Sequence, residues 1–321
     1  MRKTKVFSGS SHPELASLII DKLGVGAAPA TVKRLTNRET SIEIGTSVRD
    51  QDVFIIQSGS STINDHIMEL MIMINACKTS SASRVTAVIP YFPYGKQSKQ
   101  KKTRGAITAK LIANMLATAG VDHIITMDLH SSVIQGFFDR PVDNLLAEPS
   151  IAKYIKQHIP EYVEGVIVAK NAGGAKRVTS LADRLNIGFA MIQKEHQINT
   201  GESSEKSTVV GDVKGKVCFI VDDLIDGPTS FLKAANVLVE HEAKCCYIIA
   251  THGILSNDSL DIIEQSSAVQ KIIVTNTYPI TQEKKEKSTK LEIIDISGVL
   301  VEAIRRTHNG ESISYLFDNA I

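Results

Sequence analysis

Residues Val217–Ser230 read VCFIVDDLIDGPTS and decide the fold class of this chain. The apolar run Val217–Val221 predicts a buried strand, which ends in two adjacent carboxylates, Asp222 and Asp223. A third carboxylate, Asp226, comes just before a tight turn and an apolar-periodic helix. Carboxylates accept hydrogen bonds from sugar hydroxyls, while loop N–H groups and a helix dipole hold a phosphate. The stretch therefore indicates an α/β protein with a site for a sugar phosphate.

The composition is that of an ordinary globular protein with room for two domains. The chain has 321 residues, of which 43% are apolar and 22% are charged. Its net charge of +1 gives no overall field that favours nucleic acid or a membrane surface. Four cysteines lack CxxC spacing and are expected to be reduced core residues, and these are Cys77, Cys218, Cys245 and Cys246.

No stretch of the sequence has the pattern of a targeting or membrane segment. The first fifteen residues, MRKTKVFSGSSHPEL, lack the apolar run of a signal peptide, and no apolar run is long enough to span a bilayer. We therefore expect a cytoplasmic protein without nucleic-acid or membrane partners.

Short apolar runs alternate with helical patterns along the whole chain, which predicts βαβ units and mainly parallel sheets. The predicted strands are Lys5–Phe7, Val53–Gln57, Arg84–Ile89, His123–Met127, Val166–Ala169, Gly188–Ile192, Val217–Val221, Cys245–Ala250, Ile272–Thr275 and Glu292–Ile296. The predicted helices are Pro13–Leu23, Ile63–Cys77, Ala106–Ala119, Ser150–His158, Ala175–Leu185, Phe231–Glu240, Ser259–Gln265 and Val299–Thr307.

The predicted helix Ile63–Cys77 has little polar face. A helix that is apolar all round is either fully buried or lies in a subunit interface. Its several methionines suit an oligomer contact, because methionine adapts to irregular surfaces. Burial is slightly favoured, and both alternatives remain open.

The two halves of the chain are alike, since each has a strand leading into acids, at Asp128 and at Asp222. This suggests two related α/β domains with a boundary near Asn144–Ser150, in an irregular segment between Pro141 and Pro149. Two polar stretches are expected to be exposed at the surface: a flexible loop at Asn199–Ser207 and a charged segment at Gln282–Lys290.

Asp128 and His130 alternate with Leu129, so on an extended strand end their side chains would share one face. A carboxylate and an imidazole on one face can hold a divalent metal or contact nucleotide phosphates. The motif is short, however, and on spacing alone a polar strand end satisfied by its neighbours is the favoured alternative.

Other polar motifs have an ordinary structural explanation when they are considered alone. Asn37–Glu39 is typical of a surface turn, Gly173–Gly174 of a strand-to-helix turn, and Lys194 of surface charge. The basic run Lys96–Arg104 is typical of a solvated loop, and nucleic-acid binding is a weaker alternative.

Longer strings show a resemblance to the ribose-phosphate pyrophosphokinases, also called phosphoribosyl pyrophosphate synthetases. The string HIITMDLHSSVIQGFFDRPVDNL at His123–Leu145 is near-identical to that family's signature. Further matches extend over essentially the whole chain: Phe7–Leu15, Arg34–Glu39, Val168–Arg177, Thr251–Ser256, Val274–Ile280 and Glu302–Phe317. The run DLIDGPTSF and the basic loop look most like fungal subunits and synthetase-associated proteins.

The resemblance implies two phosphoribosyltransferase-type (type I) α/β domains with mainly parallel sheets. The N-terminal domain would comprise residues 1–146 and the C-terminal domain residues 147–307. The last segment, residues 308–321, would pack on the N-terminal domain.

The resemblance also implies a role for each matching residue, with Mg²⁺ as the cofactor. The metal ligands would be Asp128, His130, Asp139 and Asp143. The ATP contacts would be Asn37, Glu39, Lys96, Gln97 and His130. The ribose-phosphate loop would be Asp222, Asp223, Asp226, Gly227, Thr229 and Ser230, and the pyrophosphate loop Asn171, Gly173 and Gly174. Lys194 and His130 would be catalytic.

Five departures from the family pattern stand in different parts of this expected site. Leu35 replaces a phenylalanine, Lys96 and His196 replace arginines, and Asn171 replaces an acid. In the run Gly227–Thr229, the central proline has no N–H to offer a phosphate. Lysine also lacks the planar fork with which arginine binds phosphate bidentately.

We therefore expect a subunit of ribose-phosphate diphosphokinase, with ATP and ribose 5-phosphate as substrates. Phosphate and ADP are possible effectors. Other synthetase subunits are the expected partners, in a homo- or hetero-oligomer such as a hexamer built from dimers. The rival hypothesis is a non-catalytic regulatory or structural subunit of a hetero-oligomer, which the five departures favour. A transferase acting on a nucleobase is a third, weaker hypothesis.

Overall fold

The computed structural model describes residues 3–197 and 204–321, and the side chains of those residues outside 194–206. The chain divides into two compact units. The first contains the chain up to Ala147 together with Asn276–Pro279 and Asp295–Ile321, and the second contains Glu148–Thr275 and Ile280–Ile294.

The first unit is built on a parallel five-stranded sheet with the strand order β1-β4-β5-β6-β7, beside an antiparallel hairpin, β2-β3. Its strands are β1 (Thr4–Ser8), β2 (Ala30–Arg34), β3 (Thr40–Ile44), β4 (Asp52–Ile56), β5 (Arg84–Ile89), β6 (His123–Met127) and β7 (Val142–Leu145). All five residues of β4 are buried. This near-continuous burial is typical of a central parallel strand with helices on both faces.

Three helices precede the crossing into the second unit, and these are α1 (Pro13–Leu23), α2 (Ile63–Thr79) and α3 (Thr108–Ala119). The long α2 buries one face, including Leu70, Met73 and Ile74, whereas Met68 is 48% exposed. Helix α2 is therefore not fully buried, and its outer side is not uniformly apolar. The alternative that α2 lies in a subunit interface stays a prediction.

The second unit contains a seven-stranded sheet with the order β10-β9-β8-β11-β12-β13-β14. Its strands are β8 (Val166–Ala169), β9 (Gly188–Gln197), β10 (Ser204–Val210), β11 (Val217–Ile225), β12 (Cys245–Gly253), β13 (Val269–Thr275) and β14 (Leu291–Ile294). Among the described strands of this sheet, the edge pair β9 and β10 is antiparallel and the other pairs are parallel. The helices are α4 (Glu148–His158), α5 (Ala175–Leu185), α6 (Thr229–Glu240), α7 (Ser259–Gln265) and α8 (Gln282–Lys287).

Several predicted boundaries are wrong. The strand β11 does not end at Val221 but continues through the acids to Ile225, because it stays paired with β12 over that length. The segment expected to be irregular between Pro141 and Pro149 contains β7 and the start of α4. Of the loop predicted at Asn199–Ser207, residues 199–203 lie outside the described residues, and β10 begins at Ser204.

The chain returns to the first unit earlier than the expected residue 308. Helix α9 (Ser297–Asn309) and the short α10 (Tyr315–Asp318) both belong to that unit, and α9 packs on α1. The whole of α9 therefore lies in the first unit rather than in residues 147–307. None of the helices in the described ranges is long and apolar enough to cross a membrane.

A buried carboxylate fixes the end of α9. Asp52, at the start of β4, is 2% exposed and accepts hydrogen bonds from Arg84 Nε at 2.8 Å and His308 Nδ1 at 2.7 Å. Arg84 also donates to the carbonyl of Thr307 at 2.9 Å. Two neighbouring strands and the end of α9 thus share one charged network, and a charge this deeply buried is tolerated only when it is paired.

Asp295 organises the beginning of the same return segment. Its carboxylate accepts hydrogen bonds from Lys22 Nζ at 2.6 Å, from Asn276 Nδ2 at 2.9 Å, and from both the N–H and the hydroxyl of Ser297 at 2.9 Å. Partial burial raises the pKa of Asp295, but these four bonds outweigh it and lower the pKa to about 2.

We expect Asp295→Asn to lower the free energy of unfolding by about 1 kcal/mol at pH 7, because the ion pair is half-exposed and screened by solvent. A depressed carboxyl pKa contributes stability above its unfolded value near 3.8, and that contribution disappears as the pH falls towards about 2. Urea unfolding of both proteins at pH 7 and at pH 3 would measure the difference.

The control for this measurement is Asp261→Asn, which removes an exposed carboxylate from α7. A gap between wild type and Asp295→Asn that stays constant from pH 7 to pH 3 would contradict the assigned role of Asp295.

Candidate functional site

The chemistry-bearing residues of the second unit gather at the carboxyl edge of its parallel sheet. Strand β8 ends at Ala169 and is followed by Lys170, Asn171 and a single 3₁₀ turn, Ala172–Gly174, before α5 begins. The adjacent strand β11 carries Asp222 and Asp223. Ligands of α/β proteins bind at this edge, where loops from neighbouring strands meet.

Asp222 and Asp223 are held by cations of the chain itself. The Asp222 carboxylate contacts Lys170 Nζ through Oδ2 at 2.7 Å and the guanidinium of Arg177 through Oδ1 at 3.2 Å. Arg177 also donates to Asp223 Oδ1 at 3.3 Å. The Asp223 side chain is only 4% exposed. Two carboxylates and two cations therefore form one compact, mostly buried cluster.

Burial and ion pairing have opposite effects on the pKa of Asp222 in this cluster. Burial raises the pKa of Asp222, and the hydrogen bond and charge of the Asp223 carboxyl raise it further, whereas Lys170 lowers it. The net pKa of Asp222 lies above its usual value near 3.8. Without their cations, two such neighbouring acids would hold protons even more readily.

Lys170 is a member of this cluster that sequence analysis did not single out. Besides its ion pair with Asp222, it donates to Ser230 Oγ at 3.3 Å and lies 3.9 Å above the centroid of the Phe231 ring. The sequence signal that could have indicated Lys170 was its position directly after a predicted strand. The pairing of β8 with β11 brings that position beside Asp222. That pairing is a tertiary fact, which the sequence pattern alone does not state.

Asn171 acts as the cap of the turn expected to hold pyrophosphate. Its side-chain Oδ1 accepts the N–H of Gly174 at 3.2 Å. A Cβ on Gly173 would lie 3.2 Å from the same oxygen, so the turn leaves little room for a larger residue. The Asn171 oxygen is therefore used inside the loop, as is typical of an Asx turn.

The loop between β11 and α6 is more compact than the sequence suggests. Helix α6 begins at Thr229 rather than at the predicted Phe231, with the buried Pro228 as its N-cap residue. Gly227, Thr229 and Ser230 are exposed, and Asp226 is half-buried. Pro228 contributes no N–H, so the remaining donors of the first turn of α6 would have to bind any phosphate.

In the first unit, Asp128 and His130 do not share one face of an extended strand. Strand β6 ends at Met127, and Asp128 has a positive φ of 40°, which turns the chain sharply. The Asp128 side chain is buried and its Oδ2 accepts the N–H of Ala147 at 3.2 Å, whereas His130 is exposed. The pattern argument for a shared strand face was wrong because it assumed extended backbone through Asp128.

The four expected metal ligands do not form one cluster. Asp139 is exposed, and Asp143 on β7 makes an ion pair with His123 Nε2 at 2.9 Å. Across the described residues, no group of three or more His, Cys, Asp or Glu side chains could hold a metal ion. Asp128 and His130 supply at most two donors, which suits magnesium that arrives with nucleotide phosphates and water rather than in a protein cage.

The expected ATP contacts lie in two exposed turns of the first unit. Asn37 and Glu39 connect β2 to β3, and Asn37 Oδ1 accepts the N–H of Glu39 at 3.1 Å. Lys96 and Gln97 belong to a single 3₁₀ turn, in which Gln97 Oε1 accepts the hydroxyl of Thr108 at 2.6 Å. Leu35 is 44% exposed beside the first turn. These residues are accessible to a ligand, and their expected roles remain predictions.

Lys194 and His196 belong to β9, which continues beyond the predicted end at Ile192. The strand pairs with β10, and Lys194 is opposite Ser207. Their side chains lie outside the described part of the structure, so the expected catalytic role of Lys194 remains a prediction.

We expect Arg177→Met to lower the free energy of unfolding by about 1–3 kcal/mol, because it leaves the Asp222–Asp223 pair with one cation instead of two. Arg177→Lys should lose less, since it keeps the charge but not the fork that reaches both acids. Urea denaturation followed by circular dichroism would measure both variants.

The matched control is Lys176→Met, which removes an exposed cation from the same helix. Equal midpoints for Arg177→Met and Lys176→Met would show that the acid pair does not depend on Arg177.

Comparison with known proteins places this arrangement in a family. Residues 4–120 match the model of the N-terminal domain of ribose phosphate pyrophosphokinase, and residues 200–318 match that of the phosphoribosyl synthetase-associated domain. The phosphoribosylpyrophosphate synthetase of Mycobacterium smegmatis is 36% identical over 96% of this chain and 100% of its own, with a TM-score of 0.89. An adenine phosphoribosyltransferase from Saccharomyces cerevisiae is 19% identical over 38% of this chain and 72% of its own, with a TM-score of 0.29. The predicted fold class, α/β with phosphoribosyltransferase-type domains and mainly parallel sheets, is confirmed, and the chain belongs to the ribose-phosphate pyrophosphokinase family.

Proposed function

We propose that the chain is a subunit of a ribose-phosphate diphosphokinase that converts ATP and ribose 5-phosphate to AMP and 5-phospho-α-D-ribose 1-diphosphate. The observation that carries this proposal is the acid pair Asp222–Asp223 at the carboxyl edge of a parallel sheet, between a 3₁₀ turn and the start of α6, in a chain of this family. The product would supply purine, pyrimidine, histidine and tryptophan biosynthesis in the cytoplasm.

The chain's own residues would divide the task between its two units. Asp128 and His130 would orient magnesium–ATP, in which the metal neutralises the phosphate charge. Asp222, Asp223 and Asp226 would accept the ribose hydroxyls, and Ser230 with the first turn of α6 would hold the 5-phosphate. Lys194 would stabilise the charge that develops on the diphosphoryl group. Such transfer depends mainly on positioning and on stabilising charge.

A second candidate function is that of a regulatory or structural subunit with little catalysis of its own. The specific observation in its favour is that Lys170 and Arg177 already occupy the Asp222 carboxylate, while Asn171 is used as a cap. The loss of one transition-state donor costs about a hundredfold or more in rate, so several departures together would leave a slow site. Under either function the partners would be other synthetase subunits, with phosphate and ADP as effectors.

We expect the purified chain alone to release AMP from ATP and ribose 5-phosphate slowly or not at all, in magnesium and phosphate. A mixture with a self-sufficient synthetase subunit should exceed that subunit's own rate. Coupled AMP detection on the chain, the partner and the mixture would measure all three rates. Full turnover by the chain alone would sink the prediction, as would a mixture no faster than its parts.

The variant Asp222→Asn, placed in this chain within the active complex, separates the two candidate functions. Because its carboxylate would accept a ribose hydroxyl, a catalytic subunit should lose at least tenfold of its own contribution to the rate. A regulatory subunit should leave the rate of the complex unchanged, provided that gel filtration shows the same assembly with wild type and variant.

A further inference from the structure

Lys170 has a geometry that neither the ribose 5-phosphate loop nor the pyrophosphate turn requires. Its ammonium group contacts Asp222 Oδ2 at 2.7 Å, Ser230 Oγ at 3.3 Å and the face of the Phe231 ring at 3.9 Å from the centroid. The side chain is 16% exposed. One lysine thus connects the acids that would hold ribose hydroxyls with the helix turn that would hold a phosphate.

We propose that Lys170 is a built-in counter-cation, which takes the place of a divalent cation at the Asp222–Asp223 pair and, until it is displaced, closes this loop to metal and to ribose hydroxyls. The inference rests on the proposed function only in treating this loop as the ribose 5-phosphate site. It concerns the resting state of the loop, whatever the rate of the chain.

The positive and negative charges of this cluster balance one another. Asp222 and Asp223 contribute two negative charges, and Lys170 and Arg177 contribute two positive charges at hydrogen-bonding distance. A divalent cation is drawn to neighbouring carboxylates by their uncompensated charge, and here the protein has already supplied the compensation. The attraction that remains for a further cation is therefore small.

Each carboxylate oxygen of Asp222 accepts hydrogen bonds from identified groups of the chain. Asp222 Oδ2 accepts from Lys170, and Asp222 Oδ1 accepts from Arg177 and from the backbone N–H of Asp223 at 2.9 Å. Both oxygens thus have donors from the chain. A metal ion or a ribose hydroxyl that approaches Asp222 Oδ2 therefore has to compete with the ammonium group of Lys170.

The strand β8 and the Phe231 ring hold Lys170 in place. Its backbone follows the fully buried strand β8, and the Phe231 ring under its ammonium group is 1% exposed. A cation over an aromatic face gains electrostatic attraction, more so where solvent is partly excluded. The nearby Asn171 offers no charge to compete for the lysine, because its side chain is neutral and caps Gly174.

The test is the binding of Mn²⁺, without nucleotide, to the wild-type chain and to Lys170→Met. Removal of the ammonium leaves the acid pair with one excess negative charge, so we expect the variant to bind one additional Mn²⁺ at least tenfold more tightly than wild type. Titration followed by electron paramagnetic resonance would count free Mn²⁺ directly.

Two further variants make the result specific. The double variant that combines Lys170→Met with Asp222→Asn should not have the additional Mn²⁺ site, because the carboxylate that would bind the metal has been removed. Lys233→Met, which removes an exposed lysine from α6, should bind Mn²⁺ like wild type. Equal Mn²⁺ binding by wild type and Lys170→Met would overturn the proposal.

Thermal melting guards against a variant that folds poorly. Lys170→Met should melt below wild type in EDTA and recover in Mn²⁺, whereas the wild-type midpoint should change little between the two conditions. If Lys170→Met gave no folded protein, Lys170→Gln would replace it, since the amide can still donate to Asp222 without charge. A midpoint for this variant that Mn²⁺ does not raise would again overturn the proposal.

Ribose 5-phosphate titrations separate this proposal from the proposed function. Tighter binding by Lys170→Met in the presence of Mn²⁺ supports the counter-cation, even if neither protein turns over substrate. Weaker binding would show instead that Lys170 is a direct phosphate ligand, which would contradict a closing role. Failure of the complex to make product would weaken the proposed function and leave the Mn²⁺ result standing.

Discussion

Two adjacent carboxylates on a buried strand are the constraint on which the second unit is built. Asp222 and Asp223 stand on β11, which is buried between β8 and β12, and a charge in that environment must be compensated. The chain meets the requirement with Lys170 from the end of β8 and Arg177 from α5. The same ion pairs that allow the strand to be buried also decide which ligands can approach its edge.

The acid that follows strand β6 in the first unit has a different contact. Asp128 accepts the backbone N–H of Ala147, and His130, two residues further on, is exposed. A cation that approaches Asp222 meets the charges of Lys170 and Arg177. The carboxyl edges of the two sheets thus differ in the groups that contact their acids, a backbone N–H at Asp128 and two side-chain cations at Asp222.

Most central strands were predictable because parallel strands buried on both faces are short apolar runs, and β5, β6 and β8 have the predicted limits. The hairpin β2-β3 was missed because none of its residues is buried and polar residues interrupt its apolar ones, so that it has no continuous apolar run. Asp222 and Asp223 were predictable as site residues from their place after an apolar run. Lys170 was not, because its importance comes from the pairing of β8 with β11, and sequence spacing of 52 residues does not reveal that contact.

The return of α9 to the first unit has a consequence for folding during synthesis. The first unit emerges first, yet its α1 lacks the packing of α9 until the last residues are made. Asp52 likewise waits for His308, which is 256 residues away along the chain. The second unit is complete once β14 has emerged, so it can close before the older unit does. On the ribosome, the first unit would therefore begin folding first and finish last. Truncation within α9 would destabilise the N-terminal five-stranded sheet more than the seven-stranded sheet, although the latter is closer to α9 in sequence.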